Sequence, residues 1–430
     1  MEELVFWIWL SMAVTPGKDT FRKLIGELDK PEAVFKAERE ELIHIIGSAS
    51  SDLKTLEDKD LTKASEILDF CKRKNVGILT YSDPEFPRSL AEIPTPPVLL
   101  YYRGKLPDFN ASCMISMVGT RRLTDYGRKN AFSIGYDLAI AGAVLVSGMA
   151  IGIDGVSHAG SLSAGGINVA FLGSGIDVCY PEQHKRLARE IVKSGCVMTE
   201  YAPGTRPERY NFPRRNRLIA GISCASIVIE GRENSGAIIT ARYAKEFGKR
   251  LYALPGNVDN KTSEVTNLLI KTGAQLITSA DDIVRDLEFV YTGIINPFKL
   301  EKRIAVDMNK AFSELEISCV SAGDSIFSHA RKRKEKAKKA HNENVTAVSD
   351  TDSKDVSNNK KASFELSKDM KFDEATVRIY KKIPESGECT VESLVGDGDG
   401  MPAIMKALLK LEMGRFILML PGEKVKRNNN

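Results

Sequence analysis

Between residues 114 and 256, short apolar runs alternate with segments of helical length, and this alternation constrains the fold more than any other feature of the chain. Residues 114–118, 143–147, 168–172, 197–200, 226–230 and 250–254 read as strands. Helices are expected near 126–141, 153–164, 182–194 and 236–247. The strands are nearly all apolar, so neither of their faces can meet water. A parallel sheet covered by helices on both sides satisfies that requirement. Two further β-rich runs, 76–80 and 98–102, come first and are separated by proline-rich turns.

The remaining segments have a different grammar. Residues 1 to about 72 read as short helices, broken at Pro16-Gly17-Lys18, reopened at Pro31 and closed at Gly47-Ser48. The apolar run 4–14 follows Glu2 and Glu3, where a signal peptide would be basic, and it is too short to span a bilayer. It is expected to be a buried first helix. About 297–362 lacks a sustained apolar period and holds a basic run, 331–339, so it reads as a linker. Residues 370 to about 425 suggest helices followed by a small hairpin, as in a winged-helix module. The expected organisation is therefore a small all-helical domain (1–74), an α/β core with a mostly parallel sheet (75–290), a basic and polar flexible linker (291–368) and a winged-helix-like C-terminal module (369–430).

Composition excludes several classes. The chain has 430 residues, 43% of them hydrophobic and 27% charged, with a net charge of +4. That is an ordinary globular composition, and any basic signal must be local. The seven cysteines are scattered, with no CxxC pair, and read as reduced thiols of a cytoplasmic protein. No metal set is visible, no GxxxxGK[ST] loop occurs, and no cofactor is expected.

In open α/β sheets, ligands bind beyond the carboxyl ends of the strands. Here those ends carry Gly119-Thr120-Arg121-Arg122, then Gly148 to Asp154 with Gly152 between, then Gly173-Ser174-Gly175, and Ser235-Gly236 after Glu230. Glycine admits close backbone approach, and helix N-termini present free N–H groups to anions. The basic stretch Phe212-Pro213-Arg214-Arg215-Asn216-Arg217 adjoins an apolar run, with Arg206, Arg209 and Tyr210 just upstream. Guanidinium groups beside aromatic rings suit a phosphate backbone with exposed bases. A solvated basic turn is the competing reading. Asp154 and His158, four residues apart, read as a helix cap and a packing residue, with an acid–base pair as the alternative.

These runs resemble the DprA/Smf DNA-processing family. The resemblance rests on Val118-Gly119-Thr120-Arg121-Arg122 with Tyr126-Gly127, on 147–154 with His158, and on 212–221. Tyr180-Pro181, 235–241, Leu254-Pro255-Gly256, 267–270 with Gly273-Ala274, 96–104 and 31–35 extend it, so that it covers about 10–290. It departs at Val265, where the family usually has glycine, and at Ser157, where it has alanine. The resemblance implies a SAM-like N-terminal domain and a Rossmann-like core that binds single-stranded DNA, usually as a homodimer. It also implies protection of incoming strands and loading of the RecA recombinase in natural transformation, without enzymatic turnover. On that reading Arg121 and Arg122 contact phosphates, and Arg209 and Phe212 add a cation and a stacking face. Gly148, Gly152, Ser235 and Gly236 offer backbone N–H groups. Arg215 is the expected DNA contact of its stretch, while Asn216 and Arg217 shape or brace the pocket. The rival is a nucleotide-binding or nucleotide-cleaving Rossmann-like enzyme acting through Glu230 and Asp154.

Overall fold

The computed structural model describes residues 3–232, 235–321, 365–367, 370–371, 374–384, 386–394, 401–413, 416–420 and 424–427. Six helices come first: α1 (Glu3–Ala13), α2 (Thr20–Leu28), α3 (Pro31–Lys36), α4 (Arg39–Ile46), α5 (Leu53–Glu57) and α6 (Thr62–Lys74). Helix α1 is buried through Trp7, Ile8, Trp9 and Leu10, as its apolar run requires. The buried Asp52 carboxylate accepts hydrogen bonds from Thr15 (2.5 Å) and Thr20 (2.7 Å), which closes the turn after α1. These helices do not keep a separate core. One apolar cluster joins Trp7, Leu10 and Leu68 to Leu99, Ala170 and Ile191 of the sheet layer. Arg22 reinforces the join by donating to the carbonyls of Ala91 and Ile93.

The sheet has nine strands: β1 (Gly77–Thr80), β2 (Leu99–Gly104), β3 (Met114–Val118), β5 (Val144–Ser147), β6 (Asn168–Phe171), β7 (Cys196–Thr199), β8 (Ala225–Val228), β9 (Arg250–Ala253) and β10 (Gln275–Leu276). The short β4 (Arg122–Leu123) lies outside it. Spatial order is β1-β2-β7-β6-β5-β3-β8-β9-β10. Strands β1 and β2 pair antiparallel, β2 meets β7 antiparallel, and every pairing from β7 to β10 is parallel. The expected mostly parallel α/β core is thus present.

Period-two alternation divides the core strands between two apolar layers. Ile115 and Met117 of β3 face one layer, and Met114 and Val118 face the other. Helices α7 (Arg88–Ala91), α8 (Asp125–Ala141), α9 (Ile153–Ser163), α10 (Lys185–Ser194), α11 (Asn211–Ile222) and α12 (Ala237–Glu246) connect the strands. From β3 the chain steps outward through β5, β6 and β7, then returns to place β8 on the other side of β3. The carboxyl ends of β3 and β8 therefore flank the topological switch point, the position at which open α/β sheets bind ligands.

Residues after 290, expected to begin a linker, remain part of the core as far as 321. A 3-10 turn (Pro297–Lys302) is followed by helix α15 (Met308–Leu315), numbered after α13 (Glu264–Lys271) and α14 (Ala280–Leu287). Phe312 packs edge-on against Phe132 of α8 at 5.7 Å between ring centroids, and Arg303 pairs with the buried Asp137 at 3.1 Å. Strand β11 (Val320–Ser321) then pairs with β4. Few apolar residues carry this segment, and tertiary contacts rather than periodicity hold it. The basic run 331–339 lies outside the described residues.

Near the C-terminus, helices α16 (Glu374–Lys382) and α17 (Met401–Met413) accompany a three-stranded antiparallel sheet of Cys389–Thr390, Lys424–Arg427 and Ile417–Leu420. Its core residues Ile379, Leu408, Ile417 and Val425 are continuous with Ala220 of α11 and Tyr243 of α12. No helix among the described residues is long and apolar enough to cross a membrane.

Candidate nucleic-acid interface

The loops past β3 and β8 are fastened to one another by Glu230. This buried carboxylate, 1% exposed, accepts hydrogen bonds from the Thr124 N–H (3.0 Å), the Thr124 hydroxyl and the Thr262 hydroxyl (3.1 Å). Its backbone carbonyl accepts from Thr120 N–H at 2.8 Å. Thr124 in turn caps α8 by accepting from Gly127 N–H at 3.1 Å. A Cβ on Gly127 would lie 2.1 Å from the Glu230 carboxylate, so the packing demands glycine there. Gly152, with φ +97°, is covered by the same loop, and a Cβ on it would lie 2.4 Å from the Thr120 carbonyl. The expectation that Gly148 and Gly152 offer N–H groups to a ligand is not what the geometry provides. Both are buried, and the Gly148 N–H donates to the Asp154 carboxylate at 3.2 Å.

Helix α11 forms the facing wall. Asn211 anchors its start by donating to the carbonyls of Gly173 (3.1 Å) and Arg206 (3.3 Å). Arg215 points inward and is 3% exposed. Its guanidinium donates to the carbonyls of Gly148 (2.9 Å) and Phe171, at the carboxyl ends of β5 and β6, where unpaired carbonyls accumulate negative charge. Gly148 must be glycine to admit it, since a Cβ would lie 2.5 Å from the guanidinium. Burial lowers the Arg215 pKa to about 10, with the Asp154 charge opposing, so the side chain stays cationic at neutral pH. Burial likewise raises the Asp154 pKa, against the pull of Arg215 and Arg121.

Arg217 also points inward, 1% exposed, and makes a two-pronged pair with buried Glu200 (3.1 and 2.5 Å). The expectation that Arg215 is the DNA contact of this stretch is corrected accordingly. Arg215 and Arg217 are both built into the wall, and the partly exposed Asn216 bridges α11 to α12 by donating to the Gly236 carbonyl at 3.2 Å. Arg214, on the outer side, pairs with Glu392 of the C-terminal module at 2.5 Å.

What faces outward is a cation beside aromatic rings. Arg121 is exposed, and its guanidinium carbon lies 5.5 Å from the centroid of the Phe212 ring. Phe212 lies against Gly173, where a Cβ would come within 2.8 Å of the ring. On its other flank stands Tyr180, 42% exposed, at 5.4 Å between centroids. Arg209 and Tyr210 are exposed just before α11, Arg122 is half-buried on β4, and Ser235 and Gly236 open α12. Tyr180 was visible in the sequence only as part of a motif. Its role on this face depends on the loop after β6 returning to Phe212. The structure thus brings Arg121, Phe212, Arg215 and Gly148 together.

Residues 77–288 match the model of the DNA recombination-mediator protein A family. Protein Smf of Synechocystis is 35% identical over 289 residues, which cover 66% of this chain and 73% of that protein. The chain belongs to this family. DNA processing protein DprA of Streptococcus pneumoniae is 37% identical over 234 residues, 54% of this chain and 79% of that one. The X-ray structure of DprA from the same organism superposes with a TM-score of 0.58 at 29% identity, over 66% of this chain and 98% of that chain. In this family member, the two carboxylates considered for an enzymatic role are committed elsewhere. Glu230 holds the loops, and Asp154 accepts from Gly148 and exerts a charge attraction on Arg215. His158 is fully buried and bonded to Asn168 at 2.9 Å. Among the described residues no group of three or more His, Cys, Asp or Glu is placed to hold a metal ion.

Proposed function

We propose that this protein binds single-stranded DNA across the carboxyl ends of β3, β5 and β6 and the start of α11. The observation that carries the reading is the Arg121–Phe212–Tyr180 cluster, which presents a cation and aromatic rings beside a wall whose inward arginines, Arg215 and Arg217, are already engaged. Unpaired bases can stack on such rings, and each stacked base is worth about 1–3 kcal/mol. A duplex hides its base faces, so it gains only the electrostatic part. Arg121, Arg122 and Arg209 supply phosphate contacts, and Gly236 adds a backbone donor at the α12 terminus, whereas the Ser235 N–H, expected to do the same, donates to the Arg232 carbonyl at 2.8 Å.

Family membership supports the wider reading: a DNA-processing role in which the protein protects incoming strands, loads RecA during natural transformation, and acts as a cytoplasmic homodimer without turnover. On this reading the helical segment 1–74 is a SAM-like domain and the module from 369 is winged-helix-like. The engagement of Glu230 and Asp154 weighs against a nucleotide-cleaving enzyme.

The test is a band-shift series with an oligothymidine strand and a duplex of equal length across salt. The strand should bind more tightly, with log K falling against log salt by about 0.7 per phosphate neutralised. Equal affinity for both, insensitive to salt, refutes the proposal.

A further inference from the structure

Two thiols stand at the sheet end opposite the loops that carry Arg121 and Glu230. Cys113 immediately precedes β3 and Cys224 immediately precedes β8, the two strands that pair across the topological switch. Their sulfurs are 3.6 Å apart, although 111 positions separate them in the chain. Cys113 is fully buried and Cys224 is partly exposed. A disulfide needs an S–S distance of about 2.0 Å, which a change of side-chain torsion on neighbouring strands can supply.

We propose that Cys113 and Cys224 are a peroxide-reactive dithiol that closes to a disulfide and staples β3 to β8. The surroundings of Cys224 favour its thiolate, the reactive form. Hydrogen bonding with Cys113, then with Tyr291, and the charge of Lys249 together outweigh burial, so its pKa falls below the usual thiol value, while in the thiol form its S–H donates to the Met114 carbonyl at 3.2 Å. Cys113 moves the other way, because its hydrogen bond to Cys224 and its burial both hold the proton. The roles follow. The Cys224 thiolate attacks one peroxide oxygen, the O–O bond breaks, and the departing oxygen leaves as water with a proton from solvent. Cys224 is then a sulfenic acid, oxidised by two electrons. The Cys113 sulfur attacks that sulfur, the S–O bond breaks, and hydroxide leaves as water with the Cys113 proton. One peroxide is reduced to two waters, and two thiols become one disulfide.

Of the other cysteines, Cys71 and Cys196 are buried with raised pKa values, chiefly through desolvation, which suits inert packing thiols. The test treats the full chain with hydrogen peroxide, blocks remaining thiols, digests without reduction and maps peptides by mass. The expected result is a linked pair of peptides carrying Cys113 and Cys224, lighter by two hydrogens, with two of the seven thiols lost and a melting temperature that rises and returns with dithiothreitol. Cys113→Ala should stop at a Cys224 sulfenic acid that dimedone traps, and Cys224→Ala should leave Cys113 reduced. Oxidised wild-type protein in which 113 and 224 remain unlinked overturns the proposal, and that readout needs no variant to fold.

Discussion

Replacing Arg217 by alanine separates a structural arginine from a DNA-contacting one. Arg217 and Glu200 are both almost wholly buried and joined by two hydrogen bonds, in a setting lined by Val14, Pro16, Pro96 and Pro97. Alanine leaves the Glu200 carboxylate without its two-pronged guanidinium partner. Breaking a buried pair from one side costs about 3–5 kcal/mol, because an uncompensated charge stays in the interior. At about 2.1 cal/mol/K per residue over the shared core that runs to residue 321, that corresponds to a melting temperature lower by about 4–8 °C. The sign of the pH dependence is also fixed. Burial already raises the Glu200 pKa against the pull of Arg217, and removing Arg217 raises it further. A carboxyl whose folded pKa is raised favours the folded state when protonated, and that contribution is lost as pH rises through the folded value. Arg217→Ala should therefore lose more stability at pH 8 than at pH 5. Urea denaturation at both values measures this, and Arg217→Met with Glu200→Met should recover most of the loss, since an apolar pair of similar volume replaces a buried ion pair at little cost. If Arg217→Ala melts with the wild type at pH 8 yet loses strand affinity, the assignment of Arg217 to the wall is wrong.

Four further outcomes follow from the same geometry. Arg121→Ala, at an exposed site, should leave the melting temperature within about 1 °C while lowering strand affinity and reducing the salt slope by about 0.7; an unchanged slope removes Arg121 from the phosphate contacts. Phe212→Ala should weaken strand binding by about 1–3 kcal/mol with little change in salt dependence, read by fluorescence anisotropy, and a change confined to the salt slope would contradict a stacking role. Gly127→Ala should displace Glu230 and loosen the loops after β3 and β8, which faster amide exchange at Thr120 and Thr124 would report. His158 donates through Nδ1 to Asn168 Oδ1, since the Asn168 amide nitrogen donates to Ser161 and Gly166, and burial lowers its pKa from 6.5 to about 4. A depressed pKa gives stability that is full above pH 6.5 and is lost as pH falls through about 4. The loss amounts to about 3 kcal/mol, and His158→Gln should flatten it in a comparison of melting curves.

The architecture was largely legible because it rests on local pattern. Apolar runs at 114–118, 168–172 and 226–230 can only be strands covered on both faces, and period two then assigns Ile115 and Met117 to one layer and Met114 and Val118 to the other. Gly127 and Gly152 were visible as glycines, but the atoms that exclude a Cβ belong to Glu230 and Thr120, on other strands' loops. Residues 297–321 read as linker because their apolar residues are few, and only contact with Phe132, Asp137 and β4 orders them.

The sequence by itself determined a parallel α/β sheet, its glycine-bearing strand ends and a concentration of arginine at 214–217. Which of those arginines meets solvent was decided only by the tertiary structure. Arg215 and Arg217 sit beside Arg214 in the chain, and helical spacing alone leaves each free to point in or out. Their orientation depends on the Gly148 carbonyl, 67 residues away, the Phe171 carbonyl, 44 away, and the Glu200 carboxylate, 17 away. A guanidinium can be buried only where acceptors and counter-charge await it, and those are assembled by the fold, not by the neighbours in sequence.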